Sequence, residues 1–127
     1  MIRRNPCRIK GAGQEKSAER PVLTVPQLYA LAAATDERYR VVVLLAAFTS
    51  LRWGELAALR RSDVDIQAQA VRVSRQLNER DGGGLAFGPP KSEAGVRVVA
   101  IPELIMPDLA AHVMTYARPG DDGLVFT

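Results

Sequence analysis

Arg52 and Glu55 stand three residues apart in Thr49-Ser50-Leu51-Arg52-Trp53-Gly54-Glu55-Leu56-Ala57-Ala58-Leu59, just after the apolar run Val41 to Phe48. A charge pair at the end of a buried segment needs a justification, because an unpaired buried charge is expensive. An anion held by Arg52 would supply one. Lys91 sits in Pro89-Pro90-Lys91-Ser92-Glu93-Ala94-Gly95, a turn by composition, and Arg97 lies on the segment leaving it. A planar guanidinium can grip two phosphate oxygens at once, and a lysine on a turn tip can reach into a neighbouring groove. Together these residue types suit phosphoryl transfer, where catalysis is mostly positioning and charge neutralisation. The plainer alternatives stay open on the residues alone. Arg52 and Glu55 could be a helical pair contributing a few tenths of a kcal/mol, Glu55 could simply favour a helix N-terminus, and Lys91 could be an exposed turn residue.

These side chains need elements to position them. Thr24 and Gln27 have capping-box spacing, and Leu28, Leu31 and Ala32 follow at helical intervals, so a first helix should begin at Thr24. A second should run from Asp36, its N-cap, to Leu51; its middle is apolar on every side, as for a helix at the centre of a core. A short third helix is expected over Gly54 to Arg60, then a turn at Ser62-Asp63-Val64-Asp65. Three strands follow: Ala70 to Leu77, Gly84 to Phe87 and Val96 to Ile101. Residues Pro102 to Ala117 read as a helix with Pro107 in its first turn, where a missing N–H costs little. Leu124 to Thr127 reads as the start of another extended segment. The expected fold class is α+β: helices packed with a three-stranded antiparallel β-meander.

At 127 residues the chain is one domain's worth, or a domain plus a tail. Residues 1–20 hold six of the 17 basic side chains and two of the 14 acidic ones. They read as a basic linker or arm, with residues 21–127 as the body. A basic arm on a near-neutral body suits an acidic partner such as nucleic acid, though a solvated linker explains it equally. The single cysteine, Cys7, excludes an internal disulfide and reads as incidental; it fits a cytoplasmic location. No apolar run approaches the length of a membrane span, and the N-terminus lacks the apolar core of a secretory signal.

Two motifs carry a family resemblance. The run Thr49 to Leu56, with Leu59 and Ser62-Asp63-Val64-Asp65, resembles the first arginine box of the tyrosine recombinases, or phage-type integrases. Gly88-Pro89-Pro90-Lys91-Ser92-Glu93-Ala94-Gly95-Val96-Arg97-Val98-Val99-Ala100-Ile101-Pro102 resembles their catalytic-lysine hairpin. The two boxes occur in the family's order and spacing. The resemblance covers roughly residues 20–127 and implies the N-terminal portion of a DNA breaking-rejoining catalytic domain. It implies that Arg52 holds the scissile phosphate, that Glu55 steadies the active-site network and that Lys91 protonates the departing 5′-oxygen. The family's nucleophile is a tyrosine that forms a 3′-phosphotyrosyl link. The bond energy is stored in that link, so no cofactor, neither ATP nor a metal, is implied.

The chain departs from the family pattern in one respect. The His-x-x-Arg box, a later His or Trp, and the tyrosine belong beyond the element that begins at Leu124. His112 is followed by Val113, Met114 and Thr115, so it is not that box, and Tyr29, Tyr39 and Tyr116 all precede the nucleophile's place. The expectation is a truncated chain that neither cleaves nor joins DNA alone, with double-stranded DNA and other recombinase protomers, four in the family, as partners of the full-length enzyme. Arg97, Arg72 and Arg75 are candidate DNA-backbone contacts or ordinary solvent-face residues, and Arg8 and Lys10 extend the basic arm toward DNA. Trp53 reads as a packing residue and His112 as a helix residue facing the core. The truncation should leave apolar surface exposed and promote self-association. The competing readings are a non-catalytic DNA-binding regulator that uses its short helices and basic arm, for which the third helix offers only Arg60 and Arg61, and an inactive integrase remnant.

Overall fold

The structure, a computed structural model, describes residues 21–80, 82–90 and 93–127. Arg8, Lys10, Cys7 and Lys91 lie outside the described residues.

Helix α1 (Val25–Ala34) starts at the expected capping box, in which the Gln27 N–H donates to Thr24 Oγ1 and the Thr24 N–H to Gln27 Oε1. Helix α2 (Glu37–Thr49) starts where the Arg38 N–H donates to the Asp36 carboxylate. It buries Val41, Leu44, Leu45 and Thr49, with Val42, Val43, Ala46 and Phe48 partly covered, so it is the central helix its composition implies. It stops two residues short of Leu51 because Ser50 adopts the left-handed conformation, with φ of 53°. That turn frees Arg52 to become the N-cap of α3 (Trp53–Ala57), which is shorter than the expected Gly54 to Arg60.

Beyond a 3-10 turn at Arg61–Asp63 come β1 (Val64–Asp65), β2 (Ala70–Val73), β3 (Gln76–Glu79), β4 (Leu85–Gly88) and β5 (Arg97–Ala100), all antiparallel where paired. The arrangement is α+β, but the strand order differs from a meander. β2 lies between β1 and β5, while β3 and β4 form a separate hairpin. The expected strand Ala70 to Leu77 is thus two strands broken at Ser74-Arg75. The cause is Arg75, whose Nε donates to the Ala58 carbonyl at 2.8 Å and whose guanidinium lies 4.6 Å from the centre of the Phe87 ring. The chain leaves one sheet there and enters the other.

A 3-10 turn at Glu103–Ile105 leads into α4 (Met106–Thr115), with Pro107 in its first turn as expected. Its Leu109, with Ile105 before it, meets Leu44, Leu45, Val71, Val73 and Ile101 in one core. Burying each such side chain contributes about 2 kcal/mol of transfer free energy. The segment after α4 closes that core. Val125 is fully buried, its N–H donates to the Leu59 carbonyl at 2.9 Å, and Leu124 bridges Arg60. The expected extended segment is therefore present as a single bridge.

Gly54 fixes how α3 meets the hairpin. A Cβ there would stand 2.6 Å from the Leu77 carbonyl oxygen, so only glycine lets α3 lie this close to β3.

Candidate active site

The left-handed Ser50 and the short helix α3 place Arg52 at a corner. Its side chain is 76% exposed, whereas that of Glu55, one turn on, is fully buried. Glu55 occupies the third position of α3 and reaches back, so that the Arg52 N–H donates to its Oε2 at 2.9 Å. The Arg52 Nη1 lies 3.6 Å from Oε1. The carboxylate therefore tethers Arg52 at the main chain and leaves the guanidinium facing solvent.

Burying Glu55 as an ion demands strong partners, and Arg97 of β5 supplies them. Its Nη1 donates to Oε1 and its Nη2 to Oε2, both at 2.9 Å, a bidentate pair. Arg97 Nη1 also donates to the Gly95 carbonyl at 3.1 Å. The hydrogen bonds from Arg97 hold the Glu55 carboxyl below its ordinary range against the opposing effect of burial, and the Arg52 N–H adds to this. The same contact raises Arg97. Glu55 is thus ionised at neutral pH.

Ser50, Arg52, Ala94, Gly95 and Arg97 line an open cleft of about 410 Å³. Gly95 has a second role, since a Cβ on it would fall 2.3 Å from the Pro90 Cβ. Glycine at 95 lets the two ends of the turn approach, and the returning end borders the Arg52 cleft. The structure brings Arg52, Glu55 and Arg97 together. Lys91 belongs to the same turn by sequence but lies outside the described residues.

The remaining candidates separate. Arg72 points to solvent opposite Val98 on the sheet. Arg75 is half-buried and holds the strand break, far from a free solvent-face residue. Trp53 does not pack as expected: it is 71% exposed, at the first position of the short α3. With Tyr39, Val42, Leu56, Ala57 and Phe126 it lines a second, apolar cleft of about 370 Å³. The two arginines that the third helix offers the regulator reading are engaged within the protein: Arg60 binds Asp122 at 2.6 Å and Arg61 donates to the Val113 carbonyl at 2.8 Å.

His112 is buried as expected and faces Phe126 and Tyr116. Its Nε2 lies 3.0 Å from the Val125 carbonyl oxygen, while Nδ1 is buried with no hydrogen-bond partner. Burial pushes its pKa down, so the ring is neutral and its Nε2–H donates. Among the described residues no group of three or more His, Cys, Asp or Glu side chains could hold a metal ion, and no helix is long and apolar enough to cross a membrane.

No family model matches the chain. Sequence relatives are clear. The putative prophage phiRv2 integrase of Mycobacterium tuberculosis is 38% identical over 128 residues, covering 99% of this chain and 34% of the relative. The integrase of Mycobacterium phage FRAT1 is 35% identical over 133 residues, covering all of this chain and 39% of that protein. The chain belongs to the tyrosine recombinase, or phage integrase, family. It spans about a third of the length of these relatives. The fold agrees. The Tn1549 transposon integrase, solved in complex with transposon right end DNA, superposes with a TM-score of 0.72 at 23% identity, over 99% of this chain and 44% of that one. The XerA recombinase superposes with a TM-score of 0.59, also at 23% identity, over 89% of this chain and 36% of that one. The integrase catalytic-domain fold accounts for the α+β arrangement around the arginine box.

The part played by Arg97 was hidden in the sequence. Its partner Glu55 is 42 residues away, and a lone arginine on an alternating strand reads as a solvent-face residue. A signal did exist: Glu55 falls on the buried side of α3 and so required a cation from elsewhere.

Proposed function

We propose that this chain is the phosphate-gripping portion of a site-specific DNA recombinase, which in full-length form breaks and rejoins strands through a 3′-phosphotyrosine. One observation carries the reading: an exposed guanidinium, Arg52, is anchored through its main chain by a buried, ionised carboxylate and faces an open cleft. Arg52 binds the scissile phosphate and stabilises its added negative charge, Glu55 holds Arg52 in place, and Lys91 protonates the leaving 5′-oxygen. The motif context supports these roles. Double-stranded DNA is the proposed partner, a reading supported by the Tn1549 integrase, which was solved in complex with transposon right end DNA. Arg8 and Lys10 of the basic arm and the exposed Arg72 add backbone contacts. The reaction takes place in the cytoplasm, alongside other recombinase protomers.

Tyr29, Tyr39 and Tyr116 do not line the Arg52 cleft. Residues 1–127 alone therefore form no covalent DNA adduct, and incubation with supercoiled plasmid leaves neither nicks nor protein-linked strands. Adducts in that assay would overturn the assignment of the nucleophile. Non-covalent binding to duplex DNA is weak and falls with added salt, as expected where phosphate contacts dominate. Binding that ignored salt, or that Arg52→Ala left unchanged, would remove the DNA reading. The apolar cleft beside Trp53 promotes self-association, so light scattering reports a mass that rises with concentration.

A further inference from the structure

We propose that Arg97 is a positioning residue for Arg52, acting through Glu55 rather than gripping the bound anion itself. The inference rests on the reading of the cleft as a phosphate site and adds a role that the arginine box does not assign.

Three of the five N–H donors of Arg97 are already engaged within the protein. Arg97 spends Nη2 on Glu55 Oε2, and Nη1 on both Glu55 Oε1 and the Gly95 carbonyl. Its planar fork fixes the plane of the carboxylate. Once that plane is fixed, Oε2 faces the Arg52 N–H at 2.9 Å and Oε1 lies 3.6 Å from the Arg52 Nη1. Each carboxylate oxygen thus links one end of Arg97 to one part of Arg52. The order of burial agrees: Glu55 is sealed, the Arg97 side chain is 32% exposed and that of Arg52 is 76% exposed. The outermost cation meets the ligand and the inner one supports it. Arg97 also ties the end of the turn at Gly95 to α3, so one side chain sets the width of the cleft.

This role and a direct-contact role give opposite signs for one variant. Glu55→Gln raises the charge of the cleft by one. If Arg97 and Arg52 acted only as free cations, that change would tighten DNA binding. If Glu55 transmits position from Arg97 to Arg52, the same change weakens it.

The test uses the 127-residue chain and a labelled DNA duplex, with affinity read by fluorescence anisotropy across a salt series and folding checked by urea denaturation. Arg97→Ala is expected to weaken binding about tenfold, but less than about twofold when Arg52 is already alanine, because residues that act through one another are not additive. Glu55→Gln weakens binding in spite of its added positive charge. Arg97→Lys folds but does not restore affinity, since an ammonium cannot hold both carboxylate oxygens in one plane. Should Arg97→Ala fail to fold, Arg97→Lys and Glu55→Gln carry the comparison alone. The proposal is overturned if Glu55→Gln tightens binding or if Arg97→Lys binds like the parent. It is also overturned if Arg97→Ala costs the same in both backgrounds and lowers the salt slope by a further ~0.9, the signature of a lost phosphate contact. An Arg52→Ala chain that binds like the parent strikes instead at the phosphate reading beneath it, so the two failures are distinct.

Discussion

Glu55 and His112 are both buried titratable side chains, about equally hidden from water, yet one is held charged and the other neutral. Glu55 meets a bidentate guanidinium and a backbone N–H. His112 has one carbonyl acceptor and an orphaned ring nitrogen, with Arg38 adding a weak repulsion to any positive charge. Burial alone decides neither case; the supply of partners does. The carboxylate end of the molecule is built to hold an ion, and the imidazole end is built to pack. The contrast also separates two kinds of polar residue in this family member: one that organises a cleft and one that closes a core.

The sharpest way to break the contrast is to strip Glu55 of its partner. Arg97→Ala leaves a buried carboxylate with the Arg52 N–H as its remaining close donor, and is expected to cost about 3 kcal/mol of stability in urea denaturation. A change below about 0.5 kcal/mol would show that Glu55 needs no such support. Next comes the glycine that seats α3. Gly54→Ala pushes a methyl into the Leu77 carbonyl at 2.6 Å. The clash should cost about 2 kcal/mol and should loosen DNA binding, because Arg52 caps the displaced helix.

The pH dependence sharpens the contrast further. The His112 pKa is depressed on folding, so below its ordinary value of 6.5 the unfolded chain binds more protons than the folded one. Its contribution to stability is fully present above 6.5 and falls as the pH drops below that. The Glu55 contribution is fully present above 4.5 and is lost only as the pH falls from there through its depressed folded value. Denaturation curves should therefore show a first loss of stability that disappears in His112→Gln, and a second, more acidic loss that persists in that variant. A single transition insensitive to the His112 substitution would merge the two sites into one behaviour. The smallest effect belongs to Arg72, exposed on the sheet. Arg72→Ala should move stability by less than about 0.5 kcal/mol while slightly reducing the salt slope of DNA binding.

Much of this was legible in the chain. The Thr24 and Gln27 cap, the central position of α2 and the inward face of His112 follow from local spacing, and each is decided by neighbours a turn or so away. The strand break at Ser74-Arg75 was not legible. Val71, Arg72, Val73 and Ser74 alternate as one strand should, and the interruption comes from Arg75 meeting Ala58 and Phe87, both distant in sequence. The site divides in the same way. Arg52 and Glu55 declare themselves three residues apart, whereas the guanidinium that keeps Glu55 ionised arrives on another strand. Trp53 misled because a large aromatic ring beside apolar residues suggests packing, and the brevity of α3 leaves it outside.

The closing segment at Leu124 and Val125 has a consequence for how the protein is made. It hydrogen-bonds to Leu59 and bridges Arg60, and Arg60 pairs with Asp122, 62 residues further along. During synthesis, α2 and the arginine corner leave the ribosome long before the strip that seals them. Contacts of such large sequence separation form late, so the nascent chain carries a bare Leu59-Arg60 edge until residues 121–125 emerge. Protease challenge of stalled nascent chains should find that edge sensitive until residues 121–125 have emerged and protected afterwards. A vulnerable moment in this protein's life therefore comes during its synthesis, and residues 121–125 act as the fastener.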